Sequence, residues 1–162
     1  MKFGLISDTH DCVERTEDAV ALLKQAGADV LFHCGDLTTA NIVEVCAELP
    51  FYFVFGNCDF DNASFLKQAA KSCGATCLET GGVVELAGKR IALTHGHLTQ
   101  KLQALLDDRP DVLLTGHSHL KMDRTEGSTR RINPGALHRA HEYTVALLDL
   151  ETDNLQFLVV PG

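Results

Sequence analysis

No two cysteines of this 162-residue chain have C-x-x-C spacing and none falls into a zinc-ribbon pattern, although six are present, at positions 12, 34, 46, 58, 73 and 77. The simplest expectation is a reduced, intracellular protein. None of the six has arginine six positions later, which excludes the C-x5-R loop of cysteine phosphatases. Long apolar runs are missing too. The longest, around Leu49 to Gly56, falls far short of the roughly 18 residues a spanning helix needs, so no membrane partner is expected. The start MKFGLISDTH turns polar after a few apolar residues, which does not fit a signal peptide and makes the expected location cytoplasmic. Positive charge is scarce: 14 Lys and Arg against 22 Asp and Glu give a formal charge of −8, which repels phosphate backbones and leaves nucleic acid an unexpected partner. Neither G-x-G-x-x-G nor G-x4-G-K-[ST] occurs, so Rossmann or P-loop nucleotide binding has no support. The two H-x-H triplets, His95 to His97 and His117 to His119, lack the following Asp-His of a metallo-β-lactamase-type hydrolase.

What is present reads as one globular domain over residues 1–162, with no linker, repeat or low-complexity tract. Folding at this length hides roughly 70% of the unfolded chain's surface, so stability does not require a metal. Apolar runs of strand length recur at Phe3 to Ile6, Val30 to Phe32, Phe51 to Phe55, Ile91 to Leu93 and Val112 to Leu114. Between the early runs, apolar residues fall at helical spacing: Val13, Val20 and Leu23, then Ile42, Val45 and Cys46, then Phe65, Leu66 and Ala69. This alternation predicts an α/β fold with a largely parallel sheet and right-handed crossovers. From Thr76 the pattern predicts a meander of Cys77 to Glu79, Val83 to Leu86 and Arg90 to Leu93, with hairpin turns at Gly81-Gly82 and Gly88-Lys89. A helical stripe of Leu98, Leu102, Leu105 and Leu106 stops before Pro110. The chain closes on a hairpin of Tyr143 to Leu150 and Leu155 to Val160. That hairpin, with apolar edge segments, makes a homodimer a candidate assembly.

The chemistry lies at the end of each run. Asp8-Thr9-His10, Gly35-Asp36, Gly56-Asn57-Cys58-Asp59, His95-Gly96-His97 and Gly116-His117-Ser118-His119 each stand at a predicted strand end. In open α/β sheets the carboxyl edge is where sites form, so these five segments predict one shared pocket. Imidazoles, carboxylates and a carboxamide suit Zn, Mn, Fe, Co or Ni, and argue against Ca. The seven candidate ligands are Asp8, His10, Asp36, Asn57, His95, His117 and His119. They exceed the roughly four of a single tetrahedral ion, so two divalent ions are expected. If one carboxylate bridges, the ions stand about 3.5 to 4 Å apart, the spacing of two-metal hydrolytic sites. Among the other histidines, His33 lies inside an apolar run and reads as a buried core or supporting group, whereas His138 and His141, near Arg139, read as solvated or interface residues. Cys34, Cys46 and Cys77 read as buried small hydrophobes.

In their order, D-x-H, G-D, G-N-x-D, H and G-H-x-H resemble the calcineurin-like metallophosphoesterases. S-D-T-H, G-N-C-D, T-H-G-H, T-G-H-S-H and I-N-P-G resemble the small single-domain phosphodiesterase branch, which also includes the retromer scaffold subunit. The resemblance spans Ser7 to Gly135. It implies a four-layer αββα sandwich of two mixed sheets flanked by helices. It further implies that Asp8, His10 and His119 hold one ion, Asn57, His95 and His117 the other, and Asp36 bridges both, with manganese the first metal to expect. The implied function is hydrolysis of a small phosphate ester, by preference a diester, through in-line attack of a metal-bridging hydroxide. Asn57 helps bind substrate, and Asn57 and His95 help stabilise the developing oxyanion charge. His97, at the pocket rim, is the candidate to bind phosphate or donate a proton. Cys58 stands where the larger superfamily often has a histidine, and a cysteine is a poor proton donor at neutral pH, so esters with good leaving groups are favoured. The alternative is a non-catalytic metal-binding scaffold of the same fold.

Overall fold

The apolar runs become strands because both of their faces are covered. A computed structural model describes residues 1–162. In the first half β1 (Lys2–Ile6), α1 (Val13–Gln25), β2 (Val30–His33), α2 (Ala40–Cys46) and β3 (Phe51–Phe53) alternate. A 3-10 turn at Phe60–Asn62 then leads into α3 (Ala63–Cys73) and β4 (Thr76–Cys77). The second half contains β5 (Gly82–Leu86), β6 (Lys89–Leu93), α4 (Thr99–Asp107), β7 (Val112–Leu114), β8 (Met122–Glu126) and β9 (Thr129–Asn133). It ends with β10 (Thr144–Asp149) and β11 (Asn154–Val159).

One sheet has the order β11-β10-β1-β2-β3-β4 and the other β5-β6-β7-β9-β8. Strands β1 to β4 run parallel, and the hairpin β10-β11 adds antiparallel to β1, pairing Phe3 with Leu148. In the second sheet β6, β7 and β9 are parallel, with β5 and β8 antiparallel at the edges. Both sheets are therefore mixed.

Side chains alternate across each strand, and this sorts the core into layers. Phe3, Leu5, Val30 and Phe32 of the first sheet meet Ile91, Leu93, Val112, Leu114 and Ile132 of the second. The opposite face of the first sheet, with Leu31, Phe51, Phe53 and Val145, packs on Val20 and Leu23 of α1, Ile42 of α2 and Leu66 of α3. On the outer face of the second sheet Ala92 and Leu113 pack on Leu105 of α4. The result is the αββα sandwich. No helix is long and apolar enough to cross a membrane.

Four local expectations are corrected. The stretch Cys77 to Glu79 does not join a meander: β4 pairs parallel with β3, and Leu78 N–H donates to Phe53 O and Phe55 N–H to Glu79 O along that ladder, so it is the last strand of the first sheet. Gly81-Gly82 is the passage between sheets, since Gly82 already pairs with Leu93. The hairpin turn of β5-β6 is Ala87-Gly88, both at positive φ, one residue earlier than expected and of the type that matches strand twist. Phe65 is 63% exposed, because the buried face of α3 is Leu66, Ala69 and Ala70.

Candidate metal centre

The parallel strands β1, β2, β3, β6 and β7 all deliver their carboxyl ends to one rim. Asp8 and His10 follow β1, Asp36 follows β2, Asn57 follows β3, His95 follows β6, and His117 and His119 follow β7. Backbone bonds tie these loops together: Asp8 N–H donates to Gly35 O (3.0 Å), His10 N–H to Asp36 O (3.0 Å) and Gly116 N–H to His95 O (3.0 Å). His95 spans the two sheets, its Nδ1 donating to Cys34 O at 2.7 Å.

All seven side chains meet at this rim. His119 Nε2 stands 3.1 Å from Asp8 Oδ1, and His10 Nε2 3.9 Å from the same oxygen. On the other side Asn57 Oδ1 lies 3.2 Å from His95 Nε2 and 3.1 Å from His117 Nδ1. Asp36 Oδ2 lies between the two groups, 3.3 Å from His10 Nε2 and 3.4 Å from His95 Nε2. Asp8, Asp36 and His95 are buried, whereas Asn57 and His117 are exposed, so the centre opens on one side only.

The donors fit divalent cations on a test of lone pairs. His119 Nδ1 faces the carbonyl of Arg139 (3.3 Å) and His95 Nδ1 that of Cys34; a carbonyl only accepts, so both rings carry their proton on Nδ1 and direct a bare Nε2 inward. These nitrogens face carboxylate and carboxamide oxygens, acceptor against acceptor. Asp8 Oδ1 and His10 Nε2 are both buried with no hydrogen-bond partner. Such an array is stabilised only by positive charge at its centre. Without metal a proton takes that role. Burial opposes charging His95, but the Asp36 hydrogen bond and the Asp8 charge overcome it and raise its pKa. Burial likewise pushes Asp36 up, yet the His95 hydrogen bond and charge, with the Cys58 N–H and His10, bring it well below the carboxylate range.

Local backbone geometry explains how short loops achieve this. Asp8, His10, Asp36, His117 and His119 all have positive φ, between 42 and 68°. Each such non-glycine residue costs about 1 to 3 kcal/mol, and clustering of that strain is a mark of functional loops. Two glycines are required by close approach: a Cβ on Gly56 would lie 2.0 Å from Asp36 Oδ1, and one on Gly116 2.0 Å from Ser7 Oγ.

Several supporting residues escape a reading of the sequence. Asp59 is fully buried and accepts three backbone N–H bonds, from Asp36 (2.8 Å) and Gly56 (2.7 Å) on Oδ2 and from Thr38 (2.7 Å) on Oδ1. It sits one residue past Cys58 in G-N-C-D, the one signal that points to it. Ser7 Oγ and the His117 N–H hold Asp8 Oδ2. Asn133 does not escape, since the resemblance already implies that its I-N-P-G segment supports the loop of the last two histidines; its Nδ2 donates to Gly116 O (2.8 Å) and lies 3.1 Å from Ser118 Oγ.

The remaining histidines divide. His97 is a neighbour of the centre, its ring 5.3 Å from that of His95 and 6.1 Å from that of His117, with both nitrogens buried and unpartnered. Burial, then the His95 and His117 charges, lower its pKa. His138, expected to be a solvated or interface residue, is half-buried beside the centre: Leu137 N–H bonds to Ser7 O and Asp8 O, which draws this loop toward the end of β1, and the His138 ring packs on His10 at 4.7 Å with Nδ1 3.6 Å from Cys12 Sγ. His141 is exposed. Cys34 and Cys46 are buried, while Cys77 is only partly so because β4 lies at the sheet edge.

His33 is fully buried, with Nε2 3.1 Å from Thr9 Oγ1 and Nδ1 accepting from Gly35 N–H. Burial first, and then the His95 charge, take its pKa down to about 3. Unfolded, the same ring titrates near 6.5, so between these values only the unfolded chain takes up the proton. The expected result is stability that is unaffected above about pH 6.5 and falls toward pH 3, with this residue contributing up to about 1.4 kcal/mol per pH unit. Urea midpoints of metal-free protein across pH 4 to 7 should fall less steeply in His33→Gln; parallel slopes would contradict this.

Comparison with known proteins agrees with the geometry. A family model described as the calcineurin-like phosphoesterase superfamily domain matches residues 1–153. The chain is 25% identical over 166 residues to Phosphodiesterase MJ0936 of Methanocaldococcus jannaschii, covering 99% of each chain. A solved archaeal phosphodiesterase superposes with a TM-score of 0.88 at 25% identity, over 99% of this chain and 100% of that one. A Vps29 single mutant of Entamoeba histolytica shares the fold, with a TM-score of 0.66 at 18% identity over 99% and 100% of the two chains.

Proposed function

Because this chain belongs to the calcineurin-like phosphoesterase superfamily, we propose that it hydrolyses small phosphate esters, by preference diesters, at two divalent cations. Asp8, His10 and His119 would hold one ion, Asn57, His95 and His117 the other, and Asp36 both. The observation that carries this reading is the convergence of bare nitrogens on Asp8 Oδ1 and Asp36 Oδ2, with no protein donor to satisfy Asp8 Oδ1. Bound there, such ions supply concentrated positive charge and bring water's pKa toward about 7.

The protein's own residues orient and bind. Asp36 is fixed by the Cys58 N–H on Oδ1 (2.8 Å), which leaves Oδ2 for the centre. Asn57, on the open side, would receive a phosphate oxygen, with His95 stabilising the charge that develops there, and two cations held at this centre would outweigh the carboxylates and attract an anion despite the net −8. His97 has no protein partner, and burial holds it neutral; both its nitrogens are buried, so a turn of the ring would bring one N–H to a substrate oxygen. Burial and the Asp36 charge push the Cys58 thiol up, so it is a weak acid beside the leaving group. Substrates whose alcohol leaves without full protonation, such as aryl esters, are favoured.

The test is turnover of aryl phosphomonoesters and phosphodiesters across added Mn, Ni, Fe, Co and Zn, with manganese the first choice. The expected outcome is hydrolysis that needs metal, is lost on chelation, and is faster for aryl than alkyl diesters. Full metal occupancy with no turnover of any ester would support the scaffold reading instead, for which the fold shared with Vps29 is the supporting observation.

A further inference from the structure

Beside the proposed centre lies an apolar surface that the chemistry above does not use. Phe60 opens the 3-10 turn immediately after Asp59, and its side chain is 53% exposed. The turn cannot swing freely: Asp59 accepts three backbone N–H bonds on one side, and Asn62 Nδ2 donates to Thr38 O (2.8 Å) on the other. Phe60 is thus an aromatic ring held out on a rigid support. It meets His97 edge to face, ring centroids 5.8 Å apart, and His97 in turn touches His95 and His117. His97 also lines a hollow of about 550 Å³ with Leu98, Thr99, Gln100, Lys101 and Ala104, Leu98 being 37% exposed. That volume is in the range of small-molecule sites.

Leaving Phe60 and Leu98 in water gives up burial that each could gain, and His97 joins this surface to the candidate ligands His95 and His117. By contrast the hollow on the His119 side is lined by Lys121, His141, Glu142 and Thr144, with Leu120 its one apolar member. We propose that Phe60, with His97 and Leu98, seats a flat aromatic group esterified to the bound phosphate, making the substrates aryl or heteroaryl phosphate esters. This rests on the reading of the centre as a phosphoester site. An aromatic ring packs against Phe60 and His97 offset or edge on, at the 4.5 to 7 Å centroid separations such pairs favour. A methyl or short alkyl ester leaves the seat wet.

Phenylphosphonate and methylphosphonate carry the same phosphoryl head on a P–C bond that hydrolysis does not cleave, and differ only in the group the seat would hold. Their dissociation constants can be measured by calorimetry on the manganese-loaded protein, without turnover. The expected result is phenylphosphonate binding about tenfold tighter, the scale of a well-placed aromatic pair together with its buried area. In Phe60→Ala the ratio should fall to within about twofold of unity, and in Phe60→Trp it should persist. Manganese stoichiometry in the same samples reports that each variant keeps its fold and centre. A wild-type ratio near unity overturns the proposal, as does a ratio that survives Phe60→Ala, which would put the ring elsewhere, for instance on Leu120. Failure of both phosphonates to bind overturns the phosphoester reading itself, a result distinct from either.

Discussion

Asp36→Asn is expected to strip both cations and lower phosphoester turnover by on the order of 10³-fold or more, the scale of losing a principal electrostatic stabiliser. The asparagine keeps an oxygen for the Cys58 N–H, so its amide nitrogen takes the place of Oδ2. That puts a donor 3.3 Å from His10 Nε2 and 3.4 Å from His95 Nε2, where an anionic acceptor stood. His119→Ala removes a nitrogen that faces Asp8 alone, and should retain the ion on the Asn57 side. Elemental analysis after equilibration with manganese separates the cases: near two ions per chain in the wild type, about one in His119→Ala, and under one in Asp36→Asn. Equal, full occupancy in both variants would refute bridging. A stability measurement distinguishes this from misfolding. In the metal-free protein the His95 hydrogen bond and charge favour ionised Asp36, so Asp36→Asn should cost some stability at neutral pH but leave a cooperative unfolding transition. The stabilisation conferred by manganese, about 4 kcal/mol per site at a thousandfold excess over Kd, should disappear as well.

The second large effect is on stability. Asp59→Ala leaves the N–H groups of Asp36, Gly56 and Thr38 without their acceptor in a fully buried position. Each unsatisfied donor costs about 1 to 3 kcal/mol. Removing the carboxylate also relieves its own burial, which pushes the Asp59 pKa up, so the expected net loss is about 3 to 5 kcal/mol. Asp59→Asn keeps an oxygen for part of the set and should lose roughly half as much. Urea unfolding of the metal-free proteins measures both; a loss under about 1 kcal/mol in Asp59→Ala would mean that water replaces the carboxylate. Activity should fall further than stability predicts, since Asp36 and Asn57 stand on the two loops that Asp59 joins.

The strands are legible wherever both faces of a run are covered, because a two-sided strand writes an unbroken apolar word. Phe3 to Ile6 and Val112 to Leu114 are of this kind. The polar sets at their ends stand out for the same reason, each being an abrupt change at the point where the chain leaves the sheet. Much less of the supporting architecture is visible. β4 is two residues long, and its place beside β3 is decided by backbone pairing that leaves no side-chain pattern. His138 comes to His10 through hydrogen bonds of the Leu137 backbone, so nothing in its neighbours' identities marks it. Positive φ at five of the seven candidate ligands is equally silent, because aspartate and histidine do not advertise it as glycine does. Phe65 points outward against expectation, since helical spacing alone does not say which of two adjacent apolar residues faces inward.

The pairing of β1 with β10 sets the order of events as the polypeptide leaves the ribosome. Phe3 is made long before its partner Leu148, and Leu137 bonds back to Ser7 and Asp8. The βα units can assemble as they emerge, but β1 keeps one edge open until the β10-β11 hairpin arrives, and contacts so distant along the chain slow folding. A nascent chain stalled before residue 144 would therefore present a bare, strongly apolar strand, and chaperone demand during translation should concentrate in that interval.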